Sequence, residues 1–265
     1  MTSRMWKLFS VIPAAICFAG CSPSSSQPSD GAKPVSTVEQ STQQDTASSS
    51  TLKEQLTATA KARSGAASPE QNETFQKAIE MVRESGIEDS AKQVGDDAVD
   101  GELSGWDGSS IKLSELWQEG PIVLMWYRGG WCPYCNLQLR AMQQSLDELE
   151  NAGARLVVLT PELPEKAKET AAANNLEIVA LHDKESTLAR QYGILFQLPE
   201  SIVPIYRDKL KLGSYNGNDK MELPLSATYV IDKSGKITFA FLDADYKNRA
   251  EPTDVIAAVK LAAEN

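Results

Sequence analysis

The chain has 265 residues, 42% of them hydrophobic, and a formal net charge of −10. That length supports one sizeable core. The acidic excess argues against a nucleic-acid partner, because a phosphate backbone repels it. Beyond the first twenty residues no apolar run is long enough to span a bilayer as a helix.

Residues 1–20 read as an export signal, with Arg4 and Lys7 as its positive start and Leu8 to Ala19 as its apolar segment. The run ends in Phe18-Ala19-Gly20-Cys21. This resembles the lipobox of bacterial lipoproteins, with Phe18 where Leu is usual. An uncleaved anchor and an ordinary signal are the alternatives. The resemblance implies cleavage before Cys21 and its lipidation, hence a membrane-anchored lipoprotein of the bacterial cell envelope, on its periplasmic or outer face. Of four cysteines, Cys17 would leave with the signal and Cys21 would carry lipid, so Cys132 and Cys135 remain for chemistry.

Residues 21–50, dominated after the cysteine by Ser, Thr, Gln and Pro, read as a disordered tether. Such a chain holds its domain about 30 Å from the anchor. Residues 51–93 read as a helical extension, with helices near 51–63 and 70–85; the second carries Phe75, Ile79, Met81 and Val82 on or near one face, and Gly86 closes it. Residues 94–265 form the main domain. "SGWDGSSIKL" (104–113) predicts a hairpin turning at Asp107-Gly108. "PIVLMWY" (121–127) predicts a strand buried on both faces. A helix over 133–151 follows, with Leu139, Met142, Leu146 and Leu149 at helical spacing and Gly153 at its end.

"RLVVLT" (155–160) and "EIVAL" (177–181) predict two more strands, separated by a helix from Pro164 to about Asn174. A short helix over 185–192 and a long irregular stretch, 193–222, come next. "ATYVID" and "KITFAFL" predict an antiparallel pair, and Pro252 opens a last helix with Val255, Ile256, Val259 and Leu261 largely inward. This order implies an α/β fold with a central mixed sheet flanked by helices.

The cysteine pair lies where the first central strand hands over to its helix. Zinc needs four soft or imidazole ligands, and beyond this pair the chain offers only His182, so no metal or other cofactor is expected. A structural disulfide closing so small a ring would restrain the unfolded chain little. A redox pair has a positive mechanism. The helix N-terminus favours thiolate, and two intervening residues put both sulfurs on one side of the first turn. On this reading Cys132 is the exposed thiolate and Cys135 its more buried partner.

The segment "VGDDAVDGELSGWDGSSIKLSELWQEGPIVLMWYRGGWCPYCNLQLRAM", with "SATYVIDKSGKITFAFLDADYKNRAEP", resembles the peroxiredoxin-like branch of the alkyl hydroperoxide reductase / thiol-specific antioxidant family. The likeness covers roughly residues 70–262, and "YRGGWCPYC" is its specific signature. It implies a thioredoxin-like fold and a thiol peroxidase recycled by a thioredoxin-type electron donor. In typical members the peroxidatic cysteine falls on Cys135, a Thr on Cys132 and a Pro on Arg128, and an Arg stands where this chain has Ser226. Arg128 is therefore either a cation for the peroxide or a solvated arginine. Trp126, Tyr127, Trp131 and Tyr134 wall the site or join the core. The residues leave three functions open. The chain reduces hydroperoxides through a Cys132–Cys135 cycle, or exchanges disulfides with proteins, or is a non-catalytic envelope binding module. An envelope location implies an exported donor or a relay across the membrane.

Overall fold

The structure is a computed structural model and describes residues 50–263. The segments expected to be an export signal and, but for its last residue, a tether, with Cys17 and Cys21, lie outside the described residues. The described chain opens with α1 (Leu52–Ala66), α2 (Pro69–Glu84) and the single turn α3 (Ile87–Ser90). Thr51 and Glu54 form a reciprocal capping box at the start of α1. Ser68 caps α2 by accepting from the Gln71 N–H, with Pro69 at the first helical position. Gly86 ends α2 at φ 72°. On α2, Ile79 and Val82 are buried, but Met81 is 57% exposed, so the inward stripe is narrower than the sequence suggests.

The hairpin β1 (Glu102–Gly105) and β2 (Ser110–Lys112) leads into α4 (Leu113–Glu119) and β3 (Ile122–Trp126). After β3 the predicted single helix is two, α5 (Pro133–Gln144) and α6 (Leu146–Asn151). The break falls at Ser145, whose hydroxyl donates back to the Ala141 carbonyl at 3.1 Å and whose own φ/ψ is −102°/5°. β4 (Arg155–Thr160), α7 (Pro164–Asn174) and β5 (Ala180–His182) follow. β5 starts three residues later than expected because the Glu177 and Ile178 N–H groups donate to Gln143 Oε1 instead of to a neighbouring strand.

A 3₁₀ turn and α8 (Thr187–Gln191) precede the stretch expected to be irregular. That stretch contains β6 (Leu195–Gln197), a π-helical turn (Ile205–Lys209), α9 (Leu212–Asn216) and β7 (Glu222–Pro224). β6 and β7 pair with each other as a separate small sheet. Three-residue strands are too short for a periodicity to show. The chain ends with β8 (Thr228–Ile231), β9 (Ile237–Phe241) and α10 (Pro252–Ala263). Val255, Ile256 and Val259 face inward as expected, whereas Leu261 is 66% exposed.

The main sheet runs β2-β1-β5-β4-β3-β8-β9. β3, β4 and β5 are parallel, while β1, β8 and β9 join antiparallel, so the sheet is mixed. All five residues of β3 are buried. Ile122, Leu124 and Trp126 point into one core and Val123, Met125 and Tyr127 into the other, the alternation of a strand covered on both faces. The second core holds both cysteines together with Leu139, Val255 and Val259 and, from α1, Leu52 and Leu56. Burying two leucines contributes about 3–6 kcal/mol before the entropy of ordering is set against it. α1 is thus fastened over the side of the sheet that carries the cysteine pair, whereas Val82 of α2 and Ile87 of α3 enter the opposite core.

Candidate active site

β3 ends at Trp126, and the backbone then turns through Tyr127-Arg128-Gly129-Gly130-Trp131 into α5. Both glycines are required there. Gly129 has φ 154°, and a Cβ on Gly130 would lie 2.0 Å from Thr170 Oγ1. Glu162 is fully buried and pins this turn, accepting from the Gly130 N–H and the Tyr127 hydroxyl, both at 2.8 Å. Burial holds its carboxyl above the usual range, against the pull of the hydrogen bonds from Gly130, Tyr127 and Thr170. Cys132 is the N-cap residue of α5, Pro133 the first helical residue, and Cys135 completes the first turn.

Both cysteines are free thiols and both are buried, Cys132 at 2% exposure and Cys135 at 0%. The expectation of an exposed Cys132 thiolate is therefore corrected. Cys132 lies in the core that Leu52 and Leu56 of α1 cover, and the charge that selects the thiolate comes from elsewhere. Arg249, itself buried, places Nη2 3.3 Å from Cys135 Sγ and 4.0 Å from Cys132 Sγ. Its other terminal nitrogen donates to the Tyr246 and Asn248 carbonyls, which fixes its aim. Burial works to raise Cys135, but the Cys132 thiol donating to it and the Arg249 and Arg128 charges outweigh that, so Cys135 is held well below the ordinary thiol range. Burial, its bond to Cys135 and the neighbouring negative charge push Cys132 well up. The nearer guanidinium and the direction of both shifts favour Cys135 over Cys132 as the thiolate of the pair.

Arg128 is not solvated. It is buried, donates to the Tyr206 hydroxyl at 2.6 Å and lies over the rings of Trp131, Tyr206 and Tyr246. Nε and Nη1 of Arg128 and Nε of Arg249 have no partner within the protein. Trp126 faces the opposite core and donates to Asp183 at 3.1 Å, whereas Trp131 and Tyr134 stand at the site. Ser226 lies beside the end of β3, since Met125 pairs with Thr228 and the Trp126 N–H donates to the Ala227 carbonyl. It is buried, its hydroxyl has no partner within the protein, and no hydrogen bond ties it to the sulfurs. The structure therefore gathers Cys132, Cys135 and Arg128 and adds Arg249, which sequence reasoning missed. Its only signal was an arginine in "DYKNRAEP", just past the last strand.

A cleft of about 1130 Å³ opens in front of the pair. Cys132, Pro133 and Tyr134 form its floor, α1 and α2 one wall, and the π-helical turn another. Cys135 does not line it; the second sulfur stands behind the first.

The model of the AhpC/TSA family matches residues 94–240, more than half of the chain. The chain belongs to the AhpC/TSA family. Peroxiredoxin Bcp of Escherichia coli (strain K12) is 24% identical over 157 residues, which are 59% of this chain and 89% of that protein. The chloroplastic peroxiredoxin Q of Gentiana triflora is 25% identical over 150 residues, 57% of each chain. Two solved structures share the fold. Peroxidoxin BcpB of Mycobacterium tuberculosis has a TM-score of 0.50 at 21% identity, over 64% of this chain and 97% of that one. A peroxiredoxin-like protein from Aquifex aeolicus has 0.52 at 17%, over 65% and 88%. The AhpC/TSA segment contains Arg128, Cys132, Cys135 and Ser226; α1, α2 and Arg249 lie outside it.

Proposed function

We propose that this protein reduces hydroperoxides through a cycle centred on Cys135. Thiol peroxidase chemistry of the peroxiredoxin type goes with membership of the AhpC/TSA family. One observation carries the assignment to residues: a single guanidinium nitrogen reaches both sulfurs and sits closer to Cys135. The Cys135 thiolate attacks one peroxide oxygen, the O–O bond breaks, and the departing oxygen leaves as alcohol after taking a proton. Cys135 is then a sulfenic acid. The Cys132 thiol attacks its sulfur, water leaves and the disulfide closes. The donors for the peroxide oxygens are the unpartnered nitrogens of Arg128 and Arg249. Arg249 thereby supplies the charge that the family resemblance expects at the position of Ser226.

Recycling uses the same geometry. A thioredoxin-type dithiol attacks Cys132, the sulfur that lines the cleft, and Cys135 departs, because the more stabilised thiolate is the better leaving group. The donor's second thiol then releases it as a disulfide and restores the reduced pair. The apolar leader and Phe18-Ala19-Gly20-Cys21 support a cycle run in the bacterial envelope from a lipid anchor, with an exported donor. Disulfide exchange with protein substrates is the second reading. It is supported by the position of Cys132 on the cleft, a feature that recycling also uses.

A sulfenic-acid trap tests the order of events. Reduced Cys132→Ser exposed to peroxide is expected to carry the trapped adduct on Cys135, while Cys135→Ser carries none on Cys132. The reverse pattern would make Cys132 peroxidatic. A wild-type protein that peroxide leaves reduced, yet that reduces a protein disulfide, would establish the second reading. Inertness toward both would leave a binding module.

A further inference from the structure

The cleft is built for more than a peroxide group. A hydrogen peroxide molecule needs about the space of one or two waters, whose share of liquid volume is about 30 Å³ each. The cleft holds about 1130 Å³. Its inner surface is aromatic, with Phe75, Trp131, Tyr134, Tyr206 and Tyr246 among its lining. An apolar body of many carbon atoms fits such a surface.

Its charge runs against that of the molecule. The chain carries −10 overall, yet besides Arg128 the cleft is lined by Lys61, Arg63, Lys77, Lys209 and Lys247 and by one carboxylate, Glu73. Lys77 is paired with Glu73 at 2.8 Å and Lys247 with Asp245 at 2.9 Å. Among the described residues no carboxylate lies within ion-pairing distance of Lys61, Arg63 or Lys209. The Arg63 charge reaches inward as far as the Tyr134 hydroxyl, opposing the burial that raises it. Two of these three cations stand on α1 and one on the π-helical turn, and all three line the cleft. The α1–α2 pair precedes the segment shared with the family, so this half of the cleft lies outside that segment.

We infer that the cleft selects organic hydroperoxides that carry a carboxylate on a long apolar body. The carboxylate lies among Lys61, Arg63 and Lys209, the body lies against the aromatic wall, and the peroxide group enters past Cys132 to Cys135. The inference rests on the peroxidase reading above. The chemistry is unchanged: the hydroperoxide gains two electrons and becomes the alcohol, while Cys135 is oxidised to the sulfenic acid.

The test compares a long-chain fatty-acid hydroperoxide with its methyl ester, below the micellar range, as oxidants of the reduced protein, with hydrogen peroxide in parallel. The two share body and peroxide and differ in one charge. The acid is expected to react about tenfold faster than the ester, as three solvent-exposed charge contacts allow. The ratio should fall as salt screens the opening. It should approach one in the triple variant Lys61→Glu, Arg63→Glu, Lys209→Glu. Because the readout is a ratio within one sample, a partial loss of folded protein does not mimic it. Equal rates for acid and ester, with hydrogen peroxide still oxidising the protein, would overturn this inference and leave the peroxidase reading standing. Failure of all three oxidants would remove the peroxidase reading, and this inference with it.

Discussion

Replacing Arg249 isolates the electrostatics of the pair. A hydrogen bond to a charged group contributes about 1.5–3 kcal/mol, so Arg249→Met should slow peroxide oxidation by about one to two orders of magnitude at neutral pH. The pH profile carries the sign. Cys135 is held well below the ordinary thiol range by the neighbouring charges, so in the natural protein the rate should fall only as pH drops through that lowered point. Without the guanidinium the fall should move to higher pH, and Arg249→Lys should restore part of it. Thiolate absorbance against pH reads this directly, and an unmoved profile would assign the charge to Arg128 alone. Sequence reasoning stopped short here for a physical reason. The two cysteines and Arg128 fall within eight consecutive residues, where strand end, glycine turn and helix start signal one another. Arg249 is 114 residues beyond Cys135 and meets it only because the last strand brings the following loop back over α5.

The glycine turn between β3 and α5 is the element on which the site depends. A methyl on Gly130 cannot coexist with Thr170 Oγ1 at 2.0 Å, and the listening partner of that turn is Glu162, which both residues contact. Gly130→Ala should lower stability by about 1–3 kcal/mol, the range for overpacking a filled site. Thr170→Ala removes the nearest atom, so the double variant should be less destabilised than the sum of the singles. Urea unfolding of the four proteins checks this, and strict additivity would show that the turn moves instead of the threonine. At this scale the buried strands, the helix starts at Pro133, Pro164 and Pro252 and the hairpin at Asp107-Gly108 were legible, since burial and turn chemistry write themselves in local pattern. What was not legible depended on distant partners: Gln143 capturing the start of the third strand, and Ser145 splitting a helix whose apolar spacing runs on unbroken.

Lipid chains hold a protein on a membrane by about 0.8 kcal/mol per buried CH₂. Cys21→Ser should therefore move the protein to the soluble fraction or leave its leader attached. A variant processed and retained on the membrane like the natural protein would contradict lipidation at Cys21. Helices near 51–63 and 70–85 were legible as helices, but their part in the site was not, because amphipathic spacing says that a face is covered and not by what. The shared burial of the two sulfurs has one more consequence. In the proposed cycle the oxidised Cys135 need not wait for a remote segment to unfold and swing in, since its resolving thiol stands within reach of the same guanidinium nitrogen. Capture by that neighbour competes with a second peroxide, whose product would be the irreversible sulfinic acid. A protein wired this way keeps turning over during an oxidant surge, and loses capacity only when its supply of reductant runs out.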